Sequence, residues 1–428
     1  VQQKLNLTWV IFGLAALLQL ATAAPGFAKT EITTGLSLNQ CLKLAYQNSE
    51  TLKTAVLKVT KARHSLKQAE AELTPSLKYN VYGQKSDREF ANDYYGGLTL
   101  SQTVYAGGKI KAGLEEARLE LTNAMEGERQ VKQELTYDVK AAFYQFWLAG
   151  QKLQVARASS DNMERHFHNY EKKYQEGTIS HYDLLQAEVN WKKLLPEVIA
   201  AQNALNSARL DLGVLIGVKS DFNITAAALA ATAPKKTTLT LEKGLATAYR
   251  DRPEMRQQQN NLEIAALDLK IAKGDYYPTL TASGSYESSS ADSGTDWDQV
   301  WALKLDLSGT LFNGNKTKAK VAAAAVDLKV AESSERQLRD TIRVALENGL
   351  QTLDESSATI AAHQANIVLM QNALKLTQAK LEEGLADSTD LMDAQVDLDE
   401  TLDDYYSAIT DYLTAAAKLD LFLGRDIK

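Results

Sequence analysis

The feature that most restricts this chain is that it is written twice. Leu36-Ser37-Leu38 returns as Leu239-Thr240-Leu241, 203 residues on. The same offset pairs Leu42, Ala45 and Tyr46 with Leu245, Ala248 and Tyr249, and pairs Ala62, Leu66, Pro75 and Leu77 with Ala265, Leu269, Pro278 and Leu280. After a four-residue length change the offset is 207. It then matches Gly107, Lys109, Gly177, Asp183, Leu184, Leu212 and Gly217 with Gly314, Lys316, Gly384, Asp390, Leu391, Leu419 and Gly424. Chance does not supply a proline, three glycines and an aspartate in order. The first copy spans about 29–217, a linker rich in alanine, threonine and lysine covers 218–238, and the second copy spans 239–424. Any fold must use one unit twice.

Each copy has the same internal order. A helix is expected over about 38–73 and 241–275, ending before Pro75 or Pro278, where the preceding residue is pushed toward extended backbone. Runs of period two follow, the signature of strands. They are Leu77, Tyr79, Val81, Gly83 and Leu98, Leu100, Gln102, Val104, then Leu280, Ala282, Gly284, Tyr286 and Trp301, Leu303, Leu305, Leu307. Polar loops, Ser86 to Tyr94 and Ser288 to Asp298, separate them, giving hairpins over about 76–105 and 279–312. A very long helix comes next, about 109–175 and 316–382. At about 1.5 Å per residue it is roughly 100 Å long. Its apolar spacing alternates four and three (Ile110, Leu114, Ala117, Leu121, then Leu135, Ala142, Phe146, Ala149, Leu153), which is heptad-like. Gly177 or Gly384 ends it in C-cap position. A return helix, about 180–213 and 387–420, closes the unit, and Pro196 is expected to kink the first of these.

Composition narrows the function. Six prolines, none after Pro278, allow unbroken helices in the last part of the chain. A single cysteine, Cys41, excludes an internal disulfide and a cysteine zinc site. A net charge of −7 without a basic stripe argues against nucleic acid as a partner. No nucleophile–base set, phosphate loop or zinc motif appears, so neither an enzyme nor a cofactor is expected. His166 and His168, two apart on a helix, face different ways, which reads as solvated helix and not as a metal site. Lys4 followed by the apolar run Leu7 to Ala21 reads as a signal peptide over 1–28, with cleavage after Ala28 preferred over Ala23. No later stretch is apolar enough for a transmembrane helix.

The strands are long enough for tilted membrane spans. Aromatics gather at their ends: Tyr105, Phe312, Tyr276 and Tyr277 on the helix side, and Trp297, Trp301, Tyr94, Tyr95 and Phe90 toward the loops. That pattern resembles two interfacial girdles. Four strands cannot close a barrel, and an open edge in hydrocarbon leaves backbone groups unpaired. Membrane hairpins therefore demand an oligomer: a dimer gives eight strands with a lumen filled by side chains, and a trimer gives twelve and a pore. The alternative is a small soluble sheet on a periplasmic coiled-coil scaffold or adaptor.

Several motifs together resemble the TolC-like outer-membrane efflux family. They are Leu38-x3-Leu42-x2-Ala45-Tyr46, Ala71-Glu72-Leu73-Thr74-Pro75-Ser76-Leu77, Gln102-Thr103-Val104-Tyr105-Ala106-Gly107-Gly108-Lys109, and Tyr174-Gln175-Glu176-Gly177 followed by Asp183-Leu184-Leu185. The second copy repeats the set, as in Leu311-Phe312-Asn313-Gly314-Asn315-Lys316. The resemblance implies a mainly α fold with a β-barrel part. Three chains would form a twelve-helix periplasmic tube below a twelve-strand barrel in the outer membrane of a Gram-negative cell. It implies a passive exit duct for an efflux pump or type I secretion system. The implied partners are outer-membrane lipid, a periplasmic adaptor and an inner-membrane transporter, and Gly177 and Gly384 would stand at the periplasmic tip.

Acids crowd the last return helix, and Asp390, Asp393 and Asp397 share one face by spacing. On residues alone this is a solvated face with acids near a helix N-terminus. The resemblance implies more: family aspartates six and nine residues after the tip glycine line the entrance, and Asp390 and Asp393 match them. In a trimer each becomes a ring of three that favours cations. Where the best-known member closes its tip with a tyrosine and an arginine, this chain has Leu381 and Ala386; the partner acid, Asp183, is present. Adaptor docking is expected over 171–188 and 378–395.

Overall fold

A computed structural model describes residues 35–85, 92–219, 222–226, 229, 239–291 and 297–425. The expected leader, Phe90 and most of the linker lie outside these residues. Each copy opens with two short helices, not the single helix expected. These are α1 (Leu38–Asn48) and α2 (Glu50–Ala71), and in the second copy α5 (Leu241–Asp251) and α6 (Pro253–Gly274). Ser49 ends α1 by donating its N–H to the Ala45 carbonyl at 2.8 Å, and starts α2 by accepting from Leu52 N at 3.2 Å. Arg252 takes that place in the second copy, held extended (φ −68°, ψ 130°) ahead of Pro253. Proline fits the first position of a helix and disfavours helical backbone before it.

The hairpins are β1 (Ser76–Lys85) with β2 (Asn92–Ala106), and β3 (Thr279–Ala291) with β4 (Asp298–Ser308). They form one antiparallel sheet in the order β1-β2-β3-β4. The strands run further than expected: Tyr94 and Ser288, read as loop, pair with each other's strands inside the β2–β3 ladder. Register sorts the residues onto two faces, because directly opposed residues point the same way. Leu77 faces Leu100, Tyr79 faces Leu98, Leu98 faces Tyr286, and Tyr286 faces Trp301. Leu303 and Leu305 continue that row beside Gly284 and Ala282. The other face carries Ser101, Thr99, Ser283, Ser285 and Lys304. The apolar face is uncovered: Tyr79 is 81%, Trp301 74% and Leu303 81% exposed.

Two helices span the whole tube, α3 (Lys109–Gln175) and α7 (Lys316–Glu382), each of 67 residues. The return helices are α4 (His181–Ile216) and α8 (Ser388–Phe422). Pro196 lies within α4, which continues to Ile216. Near the sheet the helices pack in the row α2–α3–α6–α7, and farther away in the row α4–α3–α8–α7. Because α3 stands inside both rows, it buries several faces. Leu114, Ala117, Leu135, Phe146 and Leu153 of the expected seam are buried, and so are Val139, Phe143 and Trp147 beside it. The largest core cluster joins α1, α3 and α4 through Cys41, Leu42, Val139, Phe143, Leu212 and Ile216. Phe222, just past α4, is buried in it, and Leu36 bridges to Ile224 nearby. A matching cluster joins α7 and α8 through Leu346, Leu353, Ile409 and Leu419. Among the described residues, no helix is long and apolar enough to cross a membrane.

Both rows and the sheet end in open edges. At one side α4 shows Tyr182, Val189, Ile199, Leu210 and Val214 to solvent; at the other α7 shows Val326, Val330, Val344, Val368 and Leu376. Exposed valines and leucines along the outer helices are the surface of a helix row without its partner.

Candidate functional site at the tube tip

Two turns form the end farthest from the sheet. After α3, the Gly177 N–H reaches the Tyr174 carbonyl at 2.9 Å and the Thr178 N–H reaches Lys173 O at 3.0 Å. After α7, the Gly384 and Leu385 N–H groups do the same toward Leu381 O and Lys380 O. Gly177 (φ 75°) and Gly384 (φ 74°) sit in left-handed backbone with open space around them. Glycine is required there by conformation and not by crowding.

The next helices begin with reciprocal caps. Ser180 Oγ accepts from Asp183 N at 3.2 Å, while the Asp183 carboxylate accepts from Ser180 N at 3.0 Å. Asp387 accepts from Asp390 N at 2.9 Å, and the Asp390 carboxylate accepts from Asp387 N, also at 2.9 Å. Asp183 and Asp390 are thus the third-position partners of capping boxes. Asp390, Asp393 and Asp397 are all exposed on one face of α8, opposite the buried Leu391, Gln395 and Leu398. Asp393 has no cap to make.

The two tips of the chain are tied together. Asn190 of α4, 1% exposed, donates to Ser388 O at 3.0 Å and lies 3.3 Å from Ser388 Oγ. His166 Nε2 of α3 is 3.1 Å from the same hydroxyl. Gln186 donates to Thr389 Oγ1 at 2.9 Å. The reading of His166 as solvated helix is therefore corrected. Its ring packs on Tyr170 (4.3 Å between centroids), and burial, helped by Lys173, pushes its pKa down to about 4. His168 points away, to Glu171 at 3.2 Å. Burial also raises Tyr170, as do the charges of Asp183 and Asp387.

Farther up the α3–α8 seam the buried layers stay polar. Gln395, 3% exposed, meets Asn162 and donates to Asp399 at 2.8 Å. Asp399 opens on a groove of about 930 Å³ walled by alanines of α3 and α4, with Glu197, Lys152 and Asp403. Burial pushes the Asp399 pKa up to about 6, and Asp403 and Glu197 add to it. A raised acid binds its proton more tightly when folded, so this group's contribution to stability falls as pH rises from about 4 to about 6. His166, depressed, has the opposite sign and loses stability as pH falls from 6.5 toward about 4. Asp399→Asn should therefore raise the melting temperature at pH 7.5 more than at pH 4.5. It should also lessen the fall in stability between about pH 4 and about pH 6, as thermal melts across pH will show.

Spacing alone missed Asn190, Ser388 and Gln395. A signal was present: Ser388, Gln395 and Asp399 recur at seven and four residues inside an apolar seam, where polar residues specify register. At the opposite end, the aromatics expected as membrane girdles lie near the strand ends. Tyr276 and Tyr277 lie in the α6–β3 turn, Tyr105 is next to the last residue of β2, Phe312 follows β4, Trp297 precedes β4, and Trp301 is its fourth residue.

Comparison with known proteins gives one answer. The family model described as outer membrane efflux protein matches residues 41–218 and 245–425, one match on each copy. Alkaline protease secretion protein AprF of Pseudomonas aeruginosa is 24% identical over 354 residues, which cover 79% of this chain and 71% of that protein. A crystal structure of CusC superposes with a TM-score of 0.81 at 19% identity, over 92% of this chain and 94% of that one. The open state of the Neisseria gonorrhoeae MtrE outer membrane channel superposes with a TM-score of 0.79 at 19% identity, covering 91% and 89%. With a duplicated helical tube, a two-faced sheet and family matches across both copies, this chain belongs to the outer membrane efflux protein family.

Proposed function

We propose that three copies close into one duct, a passive exit for a pump or secretion system in the inner membrane. The observation that carries this is the uncovered apolar face of the sheet, together with unpaired edges at β1 and β4. In lipid that face needs no cover, and three sheets of even strand number join antiparallel, β4 to the next β1, leaving no edge. The apolar edges of α4 and α7 meet in the same closure.

In this assembly the sheet's polar face lines the pore, and Tyr105, Phe312, Tyr276, Tyr277, Trp297 and Trp301 hold the two interfaces. Asp390 and Asp393 form acid rings at the entrance, and Asp183 stands beside them. Exposed Leu185 and Leu385 near the Gly177 and Gly384 turns offer an apolar surface to an adaptor's helical tip. The family relationship, the relative AprF among secretion proteins and the likeness to CusC support a conduit whose cargo is chosen by its pump.

An edge substitution tests the assembly. Leu376→Asp places a charge where α7 must meet the next chain. It should convert heat-modifiable trimers in outer-membrane fractions to monomers, while Lys375→Asp, one position around the helix, should leave trimers intact. Trimers that persist in Leu376→Asp would remove α7 from the interface.

A further inference from the structure

We propose that the junction between sheet and tube is a collar for anionic phospholipid headgroups, built mainly by Lys111, Lys273, Lys316 and Lys318. The proposal rests on the reading that the hairpins cross the outer membrane.

The first observation is a local rule broken twice. Helix N-termini favour acids, and α2, α4, α5, α6 and α8 each carry one in the first turn. The two longest helices do the reverse. α3 opens Lys109-Ile110-Lys111 and α7 opens Lys316-Thr317-Lys318, with no acid in either first turn. The lysines occupy matched positions of the two copies. Cations at these ends cost stability; Asp275 answers the charge of Lys109, and Lys111, Lys316 and Lys318, without such an acid, point to a demand from outside the chain.

The second observation is that these helix ends are uncapped. Gly108 and Asn315 precede them in left-handed backbone, and neither makes a side-chain cap. The Lys316 N–H turns back to the Asn313 carbonyl at 3.3 Å, and the other first-turn N–H groups beside the lysines are the donors an anionic oxygen requires.

The third is the balance of charge. Asp275, the second-copy acid of the junction, is already spent: Lys109 reaches it at 2.9 Å and Lys320 at 2.7 Å, and against the remaining lysines stand the exposed Glu70 and Glu72 where α2 meets β1. The lysine pair holds its carboxyl below the usual range. Lys111, Lys273, Lys316 and Lys318 are exposed and make no ion pair among the described residues. A chain of net charge −7 thus concentrates unpaired cations at one level.

That level identifies the partner. Lys109 follows the end of β2 by three residues, and Lys273 precedes the Tyr276-Tyr277 turn that enters β3. Tyr105 and Phe312 stand on the strand side of the lysines. Aromatics above and lysines below is the order of a membrane interface, with amphipathic rings at headgroup depth and cations on the phosphates. Phospholipids with net negative headgroups fit this surface; zwitterionic ones offer no net charge to it.

The test uses the whole trimer. Wild type is reconstituted into phosphatidylcholine containing a minor fraction of phosphatidylglycerol, and the lipid that co-purifies in a bilayer-embedded annulus is quantified. Wild type should enrich phosphatidylglycerol at least about threefold over bulk, and high salt should abolish the enrichment. The fourfold variant K111Q/K273Q/K316Q/K318Q should return to the bulk ratio while still inserting as a heat-modifiable trimer. The fourfold arginine variant should keep the enrichment. No enrichment in wild type, or equal enrichment in the glutamine variant, would overturn the collar while leaving the barrel in place. Failure of wild type to insert into either lipid would overturn the barrel reading and the collar with it.

Discussion

Asp393→Asn should lower the channel's preference for cations by a factor of about 3 to 10, with no loss of trimer stability. The two halves of that expectation come from different facts. Asp393 is exposed on the α8 face that carries Asp390 and Asp397, and it caps nothing. Three copies around one axis set three carboxylates at one depth, and such a ring attracts cations more than a single charge does. Asp390→Ala should differ. Its carboxylate also accepts the Asp387 N–H at 2.9 Å, so its removal costs a cap, about 0.5 to 2 kcal/mol, besides the ring charge. Reversal potentials in planar bilayers read the first effect, and amide exchange at residues 387–390 reads the second. If Asp393→Asn leaves the reversal potential unchanged, the acid face does not line the pore.

The other large effect is expected at the tie between the two tips. Asn190→Ala removes the side-chain donor to the Ser388 carbonyl and leaves the buried Ser388 hydroxyl with His166 as its remaining partner. Losing a buried hydrogen bond of this kind costs about 0.5 to 1.5 kcal/mol, and a trimer repeats the loss three times. Because 1.4 kcal/mol is about tenfold in an equilibrium, a tip that is closed most of the time should open often. Conductance should rise several-fold, and exchange at the start of α8 should speed up. Gln186→Ala, which removes a tie between exposed side chains, should have a much smaller effect. A closed conductance that survives Asn190→Ala would place the closing contacts between chains instead of within each one. The positions at which the resemblance implied closing side chains carry Leu381 and Ala386, so a lock of Asn190, Ser388 and His166 is the alternative that this variant tests.

Much of this was legible in the residues. The repeat fixed the order of elements, and the two long helices start and stop at Lys109, Gln175, Lys316 and Glu382 because Gly108, Asn315, Gly177 and Gly384 punctuate the backbone at matched positions. Alternation in Leu77, Tyr79, Val81 and in Trp301, Leu303, Leu305 placed one face of the sheet. Other features depended on contacts between distant segments. Ser49 is an unremarkable serine until a break in the helix gives it an N–H to satisfy. His166 reads as solvated until Ser388, 222 residues away, is brought beside it. The seam of α3 was only partly visible, since a helix that packs on α2, α4, α6 and α8 buries more than one stripe.

The central claim is that β4 of one chain joins β1 of the next. The chain's only native cysteine, Cys41, is fully buried, so engineered pairs read cleanly. A panel that combines Leu77→Cys, Tyr79→Cys or Val81→Cys with Trp301→Cys, Leu303→Cys or Leu305→Cys should contain pairs that oxidise between chains in outer-membrane fractions. A closed ring of three predicts a ladder that stops at three chain masses on a denaturing gel. Products confined to single chains throughout the panel, or a ladder that continues past three, would contradict it.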